Sequence, residues 1–250
     1  NNKMYRIDFR QRRTMDTVNI CPEPYVVRHA YPHFLFARTT AVGAYFGMEK
    51  GPKTPAIIFA HQNGCIIFVS EKLKEIRVDT SIVRWLKYIY PDIRALRING
   101  ICADEKRILV TIKSGYLISF LITESNEIGP IASLFFGKFN GHPHLVLNED
   151  IGAILYQTKN YNLFVWSKGN PHKPFYKFEF KKHVPTTMTI LYSRLIVVGT
   201  TRGNILVFDP RHGGKLLSNI SLGCQAIRGL FKGKYGLWAI DSGSRLWCIE

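Results

Sequence analysis

Leu195-Ile196-Val197-Val198-Gly199-Thr200-Thr201-Arg202-Gly203-Asn204-Ile205-Leu206-Val207-Phe208-Asp209 is the stretch on which the fold turns. Two short runs of Leu, Ile, Val and Phe flank a polar turn centred on Arg202-Gly203. Branched and aromatic side chains fit the extended backbone of a pleated surface, and glycine accepts the positive φ of a tight hairpin loop. Neither run alternates apolar with polar residues. That is the pattern of strands covered on both faces.

The same unit occurs four more times. Ala56-Ile57-Ile58-Phe59 turns at Asn63-Gly64 into Ile66-Ile67-Phe68-Val69, and Ile108-Leu109-Val110 turns at Ser114-Gly115 into Tyr116-Leu117-Ile118. Ala153-Ile154-Leu155-Tyr156 turns near Asn160 into Leu163-Phe164-Val165-Trp166, and Leu237-Trp238-Ala239-Ile240 turns at Ser242-Gly243 into Leu246-Trp247-Cys248-Ile249. The turn centres at 64, 115, 160, 203 and 243 are separated by 51, 45, 43 and 40 residues. Radially repeated four-stranded sheets have a period of about 40–50 residues, and stacking them buries faces that one sheet alone would expose. The expected fold is therefore all-β: a β-propeller of five to six four-stranded blades with one short inserted helix. A two-sheet sandwich also yields short, regularly spaced strands and stays open as the alternative.

Residues 1–250 read as a single propeller domain, with recognisable blades over 55–250 and a basic arm over 1–30. In that arm Tyr5, Ile7 and Phe9 alternate with Arg6, Asp8 and Arg10, a strand suited to closing the ring. Residues 34–46 offer strands for another blade. The first residue is Asn1 rather than Met, so a longer parent chain is also expected.

The hairpins resemble the inner-to-middle strands of WD-repeat blades. Phe208-Asp209 stands where that family carries its Trp-Asp dipeptide, and the following turn with Leu216-Leu217 is similar to the family's link to an outer strand. Asn162-Leu163-Phe164-Val165-Trp166-Ser167 is a second approximate match, with Ser167 in place of Asp. No blade carries both the Gly-His and Trp-Asp signatures, so the family's hydrogen-bonded tetrad is not expected. The resemblance implies a protein-interaction scaffold.

The longest interval holds a different pattern. Asp79-Thr80-Ser81 supplies capping side chains, and Ile82, Trp85, Leu86 and Ile89 recur at helical spacing until Pro91. This predicts a helix over Ser81–Tyr90 whose apolar stripe packs on a blade edge. The alternative reading is a partner-docking helix acting through Arg84, Trp85, Lys87 and Tyr88.

Charge points to the class of partner. The chain has 34 Lys and Arg against 18 Asp and Glu, a formal net charge of +16, which favours a polyanionic partner such as nucleic acid, an acidic protein or an anionic lipid surface. Three clusters carry the excess: Arg6, Arg10, Arg12 and Arg13; Lys168, Lys173, Lys177, Lys181 and Lys182; and Arg228, Lys232 and Lys234. The second is interleaved with Tyr176, Phe178 and Phe180. It reads either as a phosphate-tracking strand with a stacking ring or as an outer strand with lysines blunting its edge.

Enzyme signatures are missing: there is no nucleophile elbow, P-loop, HExxH or paired-cysteine motif. His29 and His33 are separated by Pro32, and His142-Pro143-His144 lacks further ligands, so no metal, cofactor or small-molecule substrate is expected. The five cysteines sit mostly in apolar runs, which reads as buried thiols in a reducing intracellular compartment, nucleus or cytoplasm. No run is long enough to span a membrane, and charge in residues 1–13 argues against a secretory signal. The favoured function is a non-enzymatic scaffold holding other proteins in a multi-subunit complex. The alternative is a propeller binding RNA or DNA in a ribonucleoprotein or chromatin-linked assembly.

Overall fold

The computed structural model describes residues 3–8, 13–19, 39–47, 54–61, 66–70, 76–79, 81–91, 98–103, 107–122, 128–148, 150–167, 174–192, 194–223, 225–232 and 236–249. All five anticipated hairpins form, and each lies inside a separate antiparallel sheet whose strands follow one another in sequence. A sandwich would merge them into two layers. The chain divides into two units, Asn1–Phe135 and Phe136–Glu250.

In the first unit, β1 (Lys3–Asp8) pairs with β2 (Arg13–Asn19) in a two-stranded sheet. The alternating N-terminal segment is thus a strand, and its partner is its sequence neighbour. The next sheet runs β3 (Thr39–Gly47), β4 (Thr54–His61), β5 (Ile66–Ser70) and β6 (Ile76–Asp79). Residues 34–46 were expected to supply a further blade, but residues 39–46 belong to β3, the first strand of the sheet that holds the Ala56–Val69 hairpin. His33-Phe34-Leu35-Phe36-Ala37 lies outside the described residues. Helix α1 (Ser81–Ile89) then leads to β7 (Ile98–Ala103), β8 (Arg107–Ile112), β9 (Tyr116–Ile122) and β10 (Ile128–Phe135), with β3 lying against β7.

The second unit contains β11 (His144–Leu147), β12 (Ile151–Gln157), β13 (Tyr161–Ser167) and β14 (Pro174–Phe180) in one sheet. The next holds β15 (Pro185–Leu191), β16 (Leu195–Thr200), β17 (Asn204–Asp209) and β18 (Lys215–Ser221). The last runs β19 (Ile227–Lys232), β20 (Leu237–Asp241) and β21 (Leu246–Ile249). The hairpins seen in sequence are therefore the second and third strands of their sheets, and one further strand precedes each.

Burial follows strand rank. β12 and β13 are buried through most of their length, whereas β14 alternates and β18 is largely exposed. First strands of successive sheets, β11, β15 and β19, lie side by side. Ile151, Ala153, Leu155, Leu163 and Val165 pack against Met188, Ile196, Val198, Leu206 and Phe208 of the next sheet. On that sheet's other face, Val197 and Ile205 meet Ile227, Leu230, Leu237 and Ala239. Fully burying each such aliphatic side chain contributes about 1.5–3 kcal/mol.

Hydrogen bonds show the same repeat. Thr201 N donates to Val184 O at 2.9 Å and, one sheet later, Ser242 N donates to Ala226 O at 2.8 Å. Pro174 and Pro185 begin their strands, and Pro130 adjoins a bulge in the last strand of its sheet, positions that tolerate a missing ladder donor. No described helix is long and apolar enough to cross a membrane.

Gly199 sets the spacing between two sheets. A Cβ there would stand 2.7 Å from Ile227 Cγ2 and 3.0 Å from Thr187 Cγ2, so only the missing side chain lets β19 approach. Gly199→Val is expected to destabilise the fold by about 1–3 kcal/mol, the cost of overpacking a filled interface. The midpoint of urea unfolding measures it, and an unchanged midpoint would contradict the stacking described.

Candidate interaction surface

Helix α1 is anchored on one side and exposed on the other. Ile82 and Leu86, one turn apart, are fully buried among Ile98, Ile108, Val110, Ile118, Phe120 and Ile128. The Trp85 indole Nε1 donates to Ile128 O at 2.9 Å, fixing the helix on β10. Tyr90 N donates to Leu86 O at 2.9 Å, and Pro91, which cannot donate, follows directly. The predicted span Ser81–Tyr90 is thus met to within one residue.

Arg84, Trp85, Lys87 and Tyr88 all lie on the exposed side, with Tyr88 79% exposed and Trp85 38%. Their rings meet edge to face at 6.1 Å. Ile89 is partly exposed beside them. On β10 the alternation turns Ile131, Ser133 and Phe135 outward. The Tyr90 hydroxyl and Ser133 Oγ are hydrogen-bonded. Ring contacts continue from Tyr90 to Tyr116 at 4.4 Å and from Tyr116 to Phe135 at 4.8 Å. Burial pushes the Tyr90 hydroxyl's pKa up, against the lowering effect of the Ser133 bond, and Tyr116 adds to the rise. The hydroxyl therefore stays protonated as a neutral hydrogen-bonding group.

The sequence singled out the helix positions but missed Ile131 and Phe135. Their signal is a period of two in Ile131, Ser133 and Phe135, masked by the apolar neighbours Leu134 and Phe136.

The basic strand is the outer strand β14. Tyr176 and Phe180 are buried, and Phe178 packs on Phe208 with centroids 5.1 Å apart, so these rings serve the core and are not presented for stacking. The Tyr176 hydroxyl donates to Gly214 O at 2.8 Å, and burial pushes its pKa up to about 12. Gly214 has φ +67°, and a Cβ there would overlap the Tyr176 ring.

Phe175, Lys177 and Glu179 face outward, followed by exposed Lys181 and Lys182. Arg228 and Lys232 are exposed on the first strand β19, so sheet order keeps them on the opposite edge from the β14 lysines. Arg6 and Arg13 stand in β1 and β2, in register opposite Asp16 and Asp8. Arg10, Arg12, Lys168, Lys173 and Lys234 lie outside the described residues.

Two carboxylates lock the turns that end these strands. Asp209, at the position matched to the Trp-Asp dipeptide, accepts from His212 Nδ1 at 2.8 Å and Arg211 N at 3.0 Å, holding the 3-10 turn Pro210–His212. The His212 bond is the main reason its pKa falls below the usual carboxylate range. Asp241 accepts from Gly243 N at 2.9 Å, Arg245 N at 2.9 Å, Arg245 Nε at 2.8 Å and Trp247 Nε1 at 3.2 Å. Burial raises its pKa, but the Arg245 backbone bond, the Trp247 indole and the Arg245 guanidinium together outweigh it, and the net direction is down. The guanidinium also lies 5.4 Å from the centre of the Trp247 ring.

The described cysteines meet the sequence reading as free thiols but depart from it in burial. Cys248 is exposed and Cys102 half-buried, and neither is in a disulfide. Cys21, Cys65 and Cys224 lie outside the described residues.

No protein-family model matches the chain, and no curated protein matches it. Among solved structures it is similar to BBS1N, determined in complex with ARL6DN, with a TM-score of 0.63 at 13% identity over 98% of this chain and 70% of that one. BBS1N is a β-propeller-type fold, and the likeness extends that architecture to this chain. A computationally designed protein, Ika4, is similar with a TM-score of 0.48 at 14% identity, over 61% of this chain and 91% of that one. That second likeness carries no argument.

Leu86→Ala is expected to lose about 2–5 kcal/mol of stability, as for other buried truncations, whereas Tyr88→Ala stays within about 0.5 kcal/mol of wild type. Equal losses in chemical denaturation would mean that the helix is not anchored as described.

Acid should weaken the fold through the turn carboxylates. Both folded pKa values are depressed, so below neutrality the unfolded chain binds protons first, and their contribution fades as pH falls below about 5. Stability measured from pH 7 to 3 should show a flatter acid limb in Asp241→Asn than in wild type. An unaltered limb would contradict this role.

Proposed function

We propose that this chain is a non-enzymatic, WD-repeat-like propeller of five to six blades that holds partner proteins in an intracellular multi-subunit complex, in the nucleus or cytoplasm. The observation that carries the reading is the surface of α1 and β10. A helix inserted between two sheets spends Ile82 and Leu86 on anchorage and leaves Trp85, Tyr88, Arg84 and Lys87 outward, beside Ile131 and Phe135. Trp, Tyr and Arg are the residues that dominate protein–protein hot spots, because each combines a large apolar body with a polar tip. The similarity to BBS1N, a propeller solved in complex with a protein, supports the reading, as does the position of Asp209 at the end of a third strand.

The test is quantitative co-purification of the tagged protein from its native source, with wild type beside an Arg84→Glu, Tyr88→Ala double variant. Loss of about tenfold or more of specific partners, at an unchanged thermal midpoint, is the expected result. Full retention of every partner would refute this docking surface.

A second reading has its own observation: Phe175, Lys177, Lys181 and Lys182 are all exposed along β14 and the turn after it, in a chain of net charge +16. On that reading the strand tracks a phosphate backbone and Phe175, rather than the inward aromatics, stacks on a base. Affinity for generic RNA or DNA would fall log-linearly with salt, and charge reversal at the three lysines would flatten the slope by about 2–3. Absence of binding at low salt would dismiss it.

A further inference from the structure

Strand register brings every turn between second and third strands of the second unit to the same end of its sheets. Gln157 lies opposite Tyr161 and Tyr161 opposite Phe180, while Pro185 lies opposite Thr200 and Ile227 opposite Asp241. The connections leading into each sheet therefore share that end with the turns. Backbone bonds stitch the two together: Asn140 N donates to Gln157 O at 2.7 Å, and Leu222 N donates to Gly203 O at 3.1 Å. The Thr201 and Ser242 amides make the same kind of contact, to Val184 O and Ala226 O. The result is one rim of turns and connections.

This rim is basic. Lys138, Lys159, Lys181, Lys182 and Arg202 are exposed on it, and none of them is in an ion pair among the described residues. Its described carboxylates are both engaged. Asp241 is buried and bound by Arg245, and Glu179 Oε1 accepts from Asn160 Nδ2 at 2.8 Å. At the other end of the same sheets the charges are matched instead: Arg211 stands 3.7 Å from Asp150, and His212 pairs with Asp209. Cations gathered without counter-charges repel one another, and their fields add into a potential that draws an anionic partner.

The neutral groups select among anions. Asn140 and Asn160 are exposed, and their Nδ2 groups donate within the rim to Thr158 O and Glu179 Oε1. Their amide oxygens, with the second Glu179 oxygen, remain as acceptors for a partner. Phosphate oxygens only accept, so these groups oppose them. A polypeptide brings main-chain N–H donors as well as carboxylates. The unit's exposed rings Phe175, Tyr192 and Phe231 lie away from this end, so no base-stacking platform accompanies the lysines among the described residues.

We propose that this rim docks an extended acidic segment of a partner protein. Its carboxylates pair with Lys138, Lys159, Lys181, Lys182 and Arg202, and its main-chain N–H groups meet the Asn140 and Asn160 oxygens. The inference rests on the second unit alone, on residues distinct from those of the α1 surface.

The test titrates the full chain with a fluorescein-labelled poly-glutamate peptide and, in parallel, with an oligouridylate of equal charge. The peptide should bind at low salt and lose affinity as salt rises. Lys159→Glu combined with Arg202→Glu, both on exposed turns, should weaken it about tenfold or more at an unchanged thermal midpoint. Arg194→Glu combined with Arg211→Glu, the same charge change at the opposite end, should weaken it less than about twofold. Lys177, Lys181 and Lys182 stay in place throughout, so the outcome is separate from that of the nucleic-acid reading of β14. Equal losses from the two pairs would reduce the effect to net charge and overturn the proposal. So would a peptide that fails to bind at low salt, or an oligouridylate that binds more tightly and is weakened equally by the rim pair.

Discussion

Two-sided burial of the middle strands is the constraint on which this structure depends. An antiparallel sheet of four short strands has two faces and too few residues to bury either by itself. Here the second and third strands carry apolar side chains on both, and neighbouring sheets of the same kind supply the cover. Val197 and Ile196 are adjacent in sequence, point to opposite sides of one sheet, and are both fully buried, each against a different neighbour. Gly199 completes the contact by giving up its own side chain so that Ile227 can approach. Outer strands, relieved of this demand, revert to alternation and carry the lysines, prolines and exposed aromatics that face solvent or partners.

The same constraint sorts structural from functional positions. Asp209 and Asp241 are charged groups among apolar strand ends, and several donors converge on each, which holds the turns in place. Tyr176 is polar only at its tip, and that tip is used on Gly214. Tyr88 and Phe135 lie outside these demands.

Much of this was legible in the sequence because the middle hairpins break the usual rule of alternation. Leu195–Val198 and Ile205–Phe208 are apolar at every position, and their turns are marked by glycine or asparagine. The helix was legible from Ile82, Leu86 and Pro91. The first strands were not. Pro185-Thr186-Thr187-Met188 and Ile227-Arg228-Gly229 lack continuous apolar character, because part of each faces away from the stacked core.

The outward placement of Trp85 and the exposure of Leu246 were equally hidden. Trp85 has the same helical spacing as Ile82, and Leu246 the same apolarity as Ile205, so composition cannot distinguish a covered side chain from an exposed one. Only the neighbouring sheet, or its absence among the described residues, decides between them.

Native-state hydrogen exchange tests the central claim most directly. If stacking on both faces holds the fold, amides of β12, β13, β16 and β17 exchange only through global unfolding, while those of β14 and β18 exchange through smaller local openings. Protection as strong in the outer strands as in the middle pairs, or strongest in α1, would contradict the account.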